Sequence, residues 1–322
     1  MAELRYNPLL DTWVMHAPNR QDRPHLPKDW CPFCPSAGLV PADFEVLAYP
    51  NDYPVLSQSP DPIHRIESNV YMNEKAYGAC EVLLYSKEHN QHLSTLTHQH
   101  IIKLIQLWQA RNIEWSKDEK IKYVHIFENK GEEVGVTIHH PHGQLYAHSW
   151  IPTKIETELI NSKIYFEEQN AVLFDDMIAE EIQYQKRVIA ENDSFVAFIP
   201  YFIDYPYGVY ICNKKKYSHI NELNDTDNAL LASILQQVTK AFDALFNKPF
   251  PYMMSLHQCP VNAIEFDDAR DYYRFHIQFY TPLREASKIK WYAGSEMGAG
   301  AAANPLDVDQ CAASLRNSLV KV

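Results

Sequence analysis

The sequence lacks the features that several classes of protein require. Its 322 residues carry a formal net charge of −12, and no block of lysine and arginine is large enough to displace counterions from nucleic acid. The short basic run at residues 214–216 is expected to be a solvated turn. No segment approaches the ~20 apolar residues of a membrane span, and the start, MAELRYNPLLDTW, has no secretion-signal pattern. We therefore expect neither a general nucleic-acid binder nor a membrane protein.

Cysteine is scarce as well. In a chain of this length without a secretion signal, cysteines are expected to be reduced thiols or metal ligands instead of a disulfide framework. This pattern predicts a cytoplasmic protein. The six cysteines are Cys31, Cys34, Cys80, Cys212, Cys259 and Cys311.

Glycine is sparse, at 9 residues, whereas proline and tyrosine each number 20. This balance indicates rigid, irregular connections and aromatic-rich strands. Hydrophobic residues make up 46% and charged residues 22% of the chain, which permits a large core and argues against global disorder. The length suits two domains or one duplicated body.

Periodicity predicts helices and strands in both halves of the chain. Residues 1–60 show little periodicity and are expected to form a long ordered arm. Helices are predicted at residues 97–114 and 226–246, the second ending before Pro249, and connecting helices within residues 155–190. The predicted strands are residues 80–86, 123–127, 134–138, 145–151, 195–199, 209–212, 252–257 and 274–280.

A weak internal repeat indicates duplication. Residues 83–97 run parallel to residues 210–224, since each leads from a strand through a polar turn into an amphipathic helix. Both halves also end in an aromatic strand followed by proline, SWIP and FYTP. We predict an α+β fold in which two units with antiparallel sheets are fused into one body, with an N-terminal half of residues 1–155 and a C-terminal half of residues 156–322.

The motif with the clearest chemistry is HHPHGQ at residues 139–144. A neutral imidazole attacks phosphorus and forms a covalent intermediate when its other nitrogen is held by a carbonyl group. In this motif, proline fixes the backbone between two histidines, and Gly143 permits close approach of a phosphate. Gln144 is suited to donate to a phosphoryl oxygen without adding charge. These features favour His142 as a nucleophile.

A second constellation is CPFC at residues 31–34. The spacing suits zinc, which takes about four nitrogen or sulfur ligands. A redox pair is the alternative, although the proline-rich surroundings lack the strand-to-helix setting of redox motifs. His89 and His140 are candidates for the two remaining ligands. A metal held partly by His140 would make the adjacent loop rigid and would act structurally.

In these motifs the chain resembles the galactose-1-phosphate uridylyltransferases, a branch of the histidine-triad superfamily. The resemblance covers nearly the whole chain. The segments that carry it are RYNPLLDTW, APNRQDRP, CPFC, NDYP, FENKG, HPHGQ, FPYMMSLHQCP and FHIQFYTPL.

The resemblance implies a role for each matching residue and a homodimer with shared active sites. His142 would carry UMP, and Gln144 would hold the phosphoryl oxygens. Structural zinc would be bound by Cys31, Cys34, His89 and His140. Arg20 and Arg23 would face the active site of the other subunit. The remaining implied positions are Asn51 and Asp52 at the ribose, Asn129 and Thr137 at the phosphate and sugar, and Lys290 and Glu296 at the sugar.

Three positions depart from the family pattern. The family's second metal site, for iron or zinc, uses one glutamate and three histidines. Glu158, His257 and His276 match, but Gln278 replaces the last histidine, so a hydrogen-bonded histidine–glutamine pair is the alternative. Ser295 replaces a tyrosine and Ala302 replaces a sugar-binding glutamine, which leaves the choice of sugar open.

The implied reaction is a ping-pong transfer in galactose metabolism. UMP would move from UDP-glucose to His142 and then to galactose 1-phosphate, which releases UDP-galactose. The departures keep two related activities open, namely a sugar-nucleotide phosphorylase or hydrolase and a uridylyltransferase for another hexose 1-phosphate. A zinc-binding scaffold without activity is the third reading, and it leaves HPHGQ unexplained.

Overall fold

The structure is a computed structural model that describes residues 2–22 and 30–320. Its strands are β1 (Glu3–Asn7), β2 (Thr12–His16), β3 (Leu47–Pro50), β4 (Asn73–Lys75), β5 (Gly78–Leu84), β6 (Tyr123–Lys130), β7 (His142–His148), β8 (Val188–Glu191), β9 (Phe195–Phe198), β10 (Val209–Asn213), β11 (Tyr252–His257), β12 (His276–Tyr280), β13 (Leu283–Glu285) and β14 (Lys288–Ile289). Its α-helices are α1 (His98–Ser116), α2 (Thr153–Gln169), α3 (Leu173–Tyr184), α4 (Asp225–Leu245), α5 (Ala269–Tyr272), α6 (Gly294–Ala299) and α7 (Val308–Leu319).

Nine of these strands form one antiparallel sheet in the order β3-β5-β7-β6-β11-β12-β10-β9-β8. The two halves of the chain meet where β6 pairs with β11, for example at Lys130 and Tyr252. On either side of this junction the same arrangement of four strands appears in opposite order. The predicted α+β body of two fused antiparallel units is confirmed. The predicted boundary between residues 155 and 156 falls in the first turn of α2 and stays a prediction.

One face of the sheet is covered by α1, α4 and α7. Strand alternation aims Ile126, Leu145 and Leu256 at this face, where they pack with the apolar stripes of the helices. The stripe of α1 recurs every three to four residues, and the Thr97 side chain caps the helix by accepting from the His100 amide. This face is the main core. The opposite face is therefore left to carry the polar side chains of the same strands.

The opposite face is only partly covered. Helices α2 and α3 pack over its C-terminal half through a cluster that includes Leu159 and Phe174. The segment from Phe33 to Tyr49 packs over β5 through Val82 and Leu84. Between these two covers, the side chains of β6 and β7 that point to this face are aromatic or polar, and most of them are half-buried. The candidate site lies in this gap.

Most predicted helices and strands are confirmed, and one predicted strand is wrong. Residues 134–138 form no strand because Gly131 and Gly135 adopt positive φ values of 101° and 79° around a short 3-10 helix. Within the predicted ordered arm of residues 1–60, β1 and β2 pair as a hairpin and β3 joins the large sheet. Among the described helices, none has the length and apolar character needed to cross a membrane.

A candidate active site centred on His142

His142 is the first residue of β7, and its ring is held by its own loop. Its Nδ1 lies 2.7 Å from the carbonyl oxygen of His140. Because a carbonyl only accepts, Nδ1 carries the proton and the lone pair of the neutral ring is on Nε2. The Phe33 ring packs against the imidazole in a tilted orientation, with 5.4 Å between ring centroids. The proton on Nδ1 gives the tautomer that nucleophilic attack through Nε2 requires.

Gly143 permits close packing directly behind His142. A Cβ atom at this position would lie 2.6 Å from the Tyr85 hydroxyl and 3.1 Å from the Phe127 carbonyl oxygen. Tyr85 is fully buried, so its hydroxyl has little room to move. Gly143 is therefore required here by the packing of neighbouring side chains. This packing requirement is a different reason for glycine than the approach of a phosphate, which the motif alone suggests.

Two cavities meet at His142. The smaller, about 280 Å³, is lined by aromatic and apolar side chains and by polar groups from β3 and β7. The larger, about 600 Å³, is lined mainly by polar side chains and by three prolines. His142 and Ile138 contribute to both. The imidazole therefore stands at the boundary between an apolar compartment and a polar one.

Four predicted metal ligands converge beside this boundary. The ligand atoms of Cys31, Cys34, His89 and His140 lie within 4.8 Å of one another. The Cys34 sulfur is 3.4 Å from His89 Nδ1 and 3.6 Å from His140 Nδ1. Two thiols with two imidazoles are a donor set that suits tetrahedral zinc. The residues present therefore fit a metal ion.

His140 belongs to both the cluster and the nucleophile loop. Its Nε2 donates to the Ser86 carbonyl oxygen at 2.7 Å, which turns Nδ1 towards Cys34. Burial lowers the pKa of His140 to about 4, so the ring is neutral at pH 7 as a metal ligand must be. Burial raises the pKa of the Cys31 thiol to about 11, an effect that a bound cation would oppose.

A second cluster lies where α2 meets β11 and β12. The ligand atoms of Glu158, His257 and His276 lie within 4.8 Å of one another. Gln278 occupies the remaining corner, and Lys154 of α2 approaches it. Burial lowers the pKa of His276 to about 3. For Glu158, burial alone would raise the pKa, but His257 and its hydrogen bond hold it well below the usual range.

The other predicted residues divide into three groups. Asn51, Asp52, Thr137 and Gln144 line the smaller cavity, and Asn129 lines the larger one. Arg20 bonds within its own chain, to the Tyr53 carbonyl oxygen and the Tyr146 hydroxyl, both at 3.3 Å. Arg23 lies outside the described residues.

Lys290 and Glu296 are brought together near the C-terminus. Their charged groups are 3.7 Å apart, and Lys290 also donates to the Asp204 carbonyl oxygen at 2.8 Å. Neither residue is among those that line the two cavities of the described chain. Ser295, one of the departures from the family pattern, bonds the Ala301 carbonyl oxygen at 2.7 Å.

Sequence reasoning missed Glu128. Its side chain points from β6 into the core, where Tyr252 donates to it at 3.2 Å. Burial raises its pKa to about 7, although Lys130 opposes this shift. The polar run FENKG was the available signal, because alternation places Glu128 opposite the face that Asn129 occupies.

The fold and the site together define a class of protein, namely a duplicated antiparallel α+β body with a strand-borne histidine beside a cysteine–histidine cluster. The chain belongs to the galactose-1-phosphate uridyl transferase family. Residues 1–152 match the N-terminal domain of this family and residues 156–319 match its C-terminal domain.

Individual relatives match over nearly their whole length. The galactose-1-phosphate uridylyltransferase of Thermotoga maritima is 34% identical over 323 residues and covers 100% of both chains. That of Saccharomyces cerevisiae is 33% identical over 97% of this chain and 93% of its own. A solved structure of a uridylyltransferase shares the fold with a TM-score of 0.89, at 29% identity over 99% of each chain.

Proposed function

We propose that this protein transfers UMP from UDP-glucose to galactose 1-phosphate in galactose metabolism, with His142 as the covalent carrier. The observation that carries the proposal is the position of His142 between two unlike cavities, with Nδ1 held by a carbonyl group. Family membership supplies the reaction class. Nε2 attacks the α-phosphorus, the bond to glucose 1-phosphate breaks, and the anion leaves without a strong general acid.

Each cavity suits one part of the substrate. The smaller cavity offers Trp30 and Phe33 to a base and Asn51 and Asp52 to ribose hydroxyls. The larger cavity offers Asn129 and other polar groups to a hexose phosphate. Gln144, Thr137 and Asn129 are the proposed partners of the phosphoryl oxygens, where fixed donors stabilise charge that develops on transfer. The second hexose 1-phosphate attacks phosphorus from the side from which the first departed, the bond between phosphorus and Nε2 breaks, and UDP-galactose leaves with neutral His142 restored.

Zinc is the proposed occupant of the first cluster, held by Cys31, Cys34, His89 and His140. The ion would supply structural cross-linking, with no Lewis-acid role. The chain's own contribution is the His140 backbone, whose carbonyl oxygen holds the nucleophile while its ring enters the cluster. Fixing the ring of His140 therefore fixes the group that orients His142.

A homodimer with shared sites is part of the proposal. Lys290 and Glu296 are the proposed sugar-recognition residues, and a second copy of the chain would bring them to the larger cavity. Arg20 and Arg23 remain proposed substrate-binding residues, and the contact between Arg20 and Tyr146 places the Arg20 side chain beside β7 of its own chain.

The test is the intact mass of the protein after incubation with UDP-glucose alone. We expect a gain of one UMP that is absent in His142→Gly and is lost when galactose 1-phosphate is added. His64→Gly is the matched control, because this exposed histidine is not among the described residues that line either cavity. Binding of UDP-glucose without any mass gain would contradict the nucleophile. Discharge by inorganic phosphate or water, but not by galactose 1-phosphate, would favour the phosphorylase or hydrolase reading.

A further inference from the structure

The second cluster has the outline of a metal site that is one ligand short. Glu158 comes from α2, His257 from β11 and His276 from β12, and their ligand atoms lie within 4.8 Å of one another. Gln278 stands two residues after His276 on the same face of β12. The group that lies among the three ligand atoms determines whether an ion fits there.

That group is the side-chain amide nitrogen of Gln278. It lies 3.1 Å from Glu158 Oε1, 2.9 Å from His276 Nε2 and 3.4 Å from His257 Nδ1. An amide nitrogen donates two hydrogens and has no lone pair for a cation. Its two hydrogens therefore point at Glu158 Oε1 and His276 Nε2, two of the atoms that would otherwise bind a metal, while His257 Nδ1 donates to Glu158 Oε2.

Lys154 determines which end of the amide faces the cluster. Its Nζ lies 3.1 Å from Gln278 Oε1, and the Tyr280 hydroxyl also donates to this oxygen. Because an ammonium group only donates, the amide oxygen must face Lys154 and the nitrogen must face the cluster. Lys154 also bonds the Tyr280 hydroxyl at 2.7 Å. Its positive charge beside the cluster opposes the entry of a divalent cation.

The hydrogen bonds of the histidines and the carboxylate complete a closed network. His276 Nδ1 donates to a backbone carbonyl oxygen two residues earlier at 2.9 Å, so its Nε2 is left to accept from Gln278. His257 Nδ1 and the Tyr273 hydroxyl lie 2.8 Å and 2.6 Å from Glu158 Oε2. Glu158 thus receives three protein donors. An ion would have to displace several of these contacts at once.

We infer that this cluster is a metal-free hydrogen-bonded cluster in which the Gln278 amide takes the place of the ion and Lys154 orients the amide. It joins α2 to β11 and β12 by side-chain contacts alone. The inference concerns metal content and the integrity of the C-terminal half. It stands apart from the reaction proposed for His142, since neither outcome of the labelling experiment bears on it.

The test is the metal content of the purified chain after saturation with zinc or iron and removal of free ion. The wild type is expected to hold about one equivalent, and Cys34→Ser, which breaks the first cluster, is expected to hold almost none. A Cys34→Ser protein that holds about one equivalent, which is lost when His276→Asn is added, would overturn the inference.

Two further variants keep the test decisive if Cys34→Ser fails to fold. His276→Asn in the otherwise intact chain is expected to leave the metal content unchanged, and the loss of one of two equivalents would overturn the inference. Gln278→His with Lys154→Met supplies the missing imidazole and removes the opposing charge, so the content should rise by about one equivalent. Gln310→His, at an exposed position of α7, is the matched control. An unchanged content in the double variant would contradict the roles given to Gln278 and Lys154.

Discussion

At the scale of single residues, His140 joins two functions that the sequence shows only as neighbours. Its ring nitrogen lies 3.6 Å from the Cys34 sulfur, and its carbonyl oxygen lies 2.7 Å from His142 Nδ1. The same residue therefore contributes to the metal-ligand cluster and to the orientation of the proposed nucleophile. A movement of the His140 ring would also move His142, because only Pro141, whose backbone is rigid, separates the two residues.

Glu128 predicts a dependence of stability on pH. Burial raises its pKa from 4.5 to about 7 in the folded protein, so the folded state binds this proton more tightly than the unfolded state. The stability from this group is complete below pH 4.5 and is lost as the pH rises towards and through 7. Between pH 5 and pH 8, the free energy of unfolding should fall by about 2 kcal/mol more in the wild type than in Glu128→Gln.

Urea unfolding at several pH values between 5 and 8 measures this difference. Glu119→Gln, at an exposed position, is the control and should follow the wild type. A constant difference between wild type and Glu128→Gln across the range would show that the buried carboxyl does not titrate there.

The residues of the candidate site differ in how far sequence could predict them. Spacing alone brings His142 and Gln144 together, because alternation on β7 places these residues on one face. The position of the Gln278 amide depends on Lys154, which is distant in sequence and reaches it from α2. Glu128 was missed for a similar reason, since its burial depends on Tyr85 and Tyr252 from other elements.

At the scale of elements, β7 is the strand that positions the chemistry. It pairs with β5 on one side and β6 on the other, and its first three residues are His142, Gly143 and Gln144. The Tyr85 side chain packs against Gly143 of this strand. A small displacement of this strand would move the nucleophile relative to both cavities.

Gly143→Ala should therefore weaken both stability and labelling. The new methyl group would meet the Tyr85 hydroxyl at 2.6 Å, and overpacking of this kind costs about 1–3 kcal/mol. Adding Tyr85→Phe removes the nearest atom, so the double variant should recover part of the loss. Urea unfolding and the rate of UMP labelling are the measurements.

Gly294→Ala is the control for this experiment, since nothing lies within 4 Å of a Cβ at that position. If Gly143→Ala were as stable as Gly294→Ala and labelled at the wild-type rate, the packing argument would fail. Equal losses in the single and double variants would instead assign the clash to the Phe127 carbonyl oxygen.

Elements with strong periodicity were predictable, and those set by special backbone angles were not. The predicted helix at residues 97–114 became α1, and the predicted strand at residues 252–257 is β11. Residues 134–138 have the composition of a strand, yet Gly135 turns the chain away from the sheet. The apolar composition of residues 134–138 favours a strand, whereas the positive φ of Gly135 is incompatible with a strand in the folded chain.

At the scale of the whole molecule, the duplication builds one sheet and not two. The internal repeat indicated two similar units, but no local pattern identifies β6 and β11 as the strands that join them. Such pairing depends on contacts between residues more than a hundred positions apart. Sequence periodicity predicts the faces of a single element, so it could not predict that β6 pairs with β11.

The proposed dimer predicts complementation between inactive variants. His142→Gly removes the nucleophile of a site, and Lys290→Ala removes a sugar contact that a second copy would supply. In randomly mixed dimers one site in four regains both groups, so activity should return to about a quarter of wild type. Co-expression, with dimers identified by mass, is the experiment. Mixed dimers that form without any return of activity would contradict shared sites.

The contrast between the two clusters implies that the two halves of the molecule depend on a bound ion to different degrees. The C-terminal cluster joins its helix to the sheet with side chains alone, whereas the cysteine–histidine set lies over one edge of the N-terminal half. Removal of the ion proposed for the cysteine–histidine set would therefore release the cysteine loop and leave the helices and strands of the C-terminal half in place.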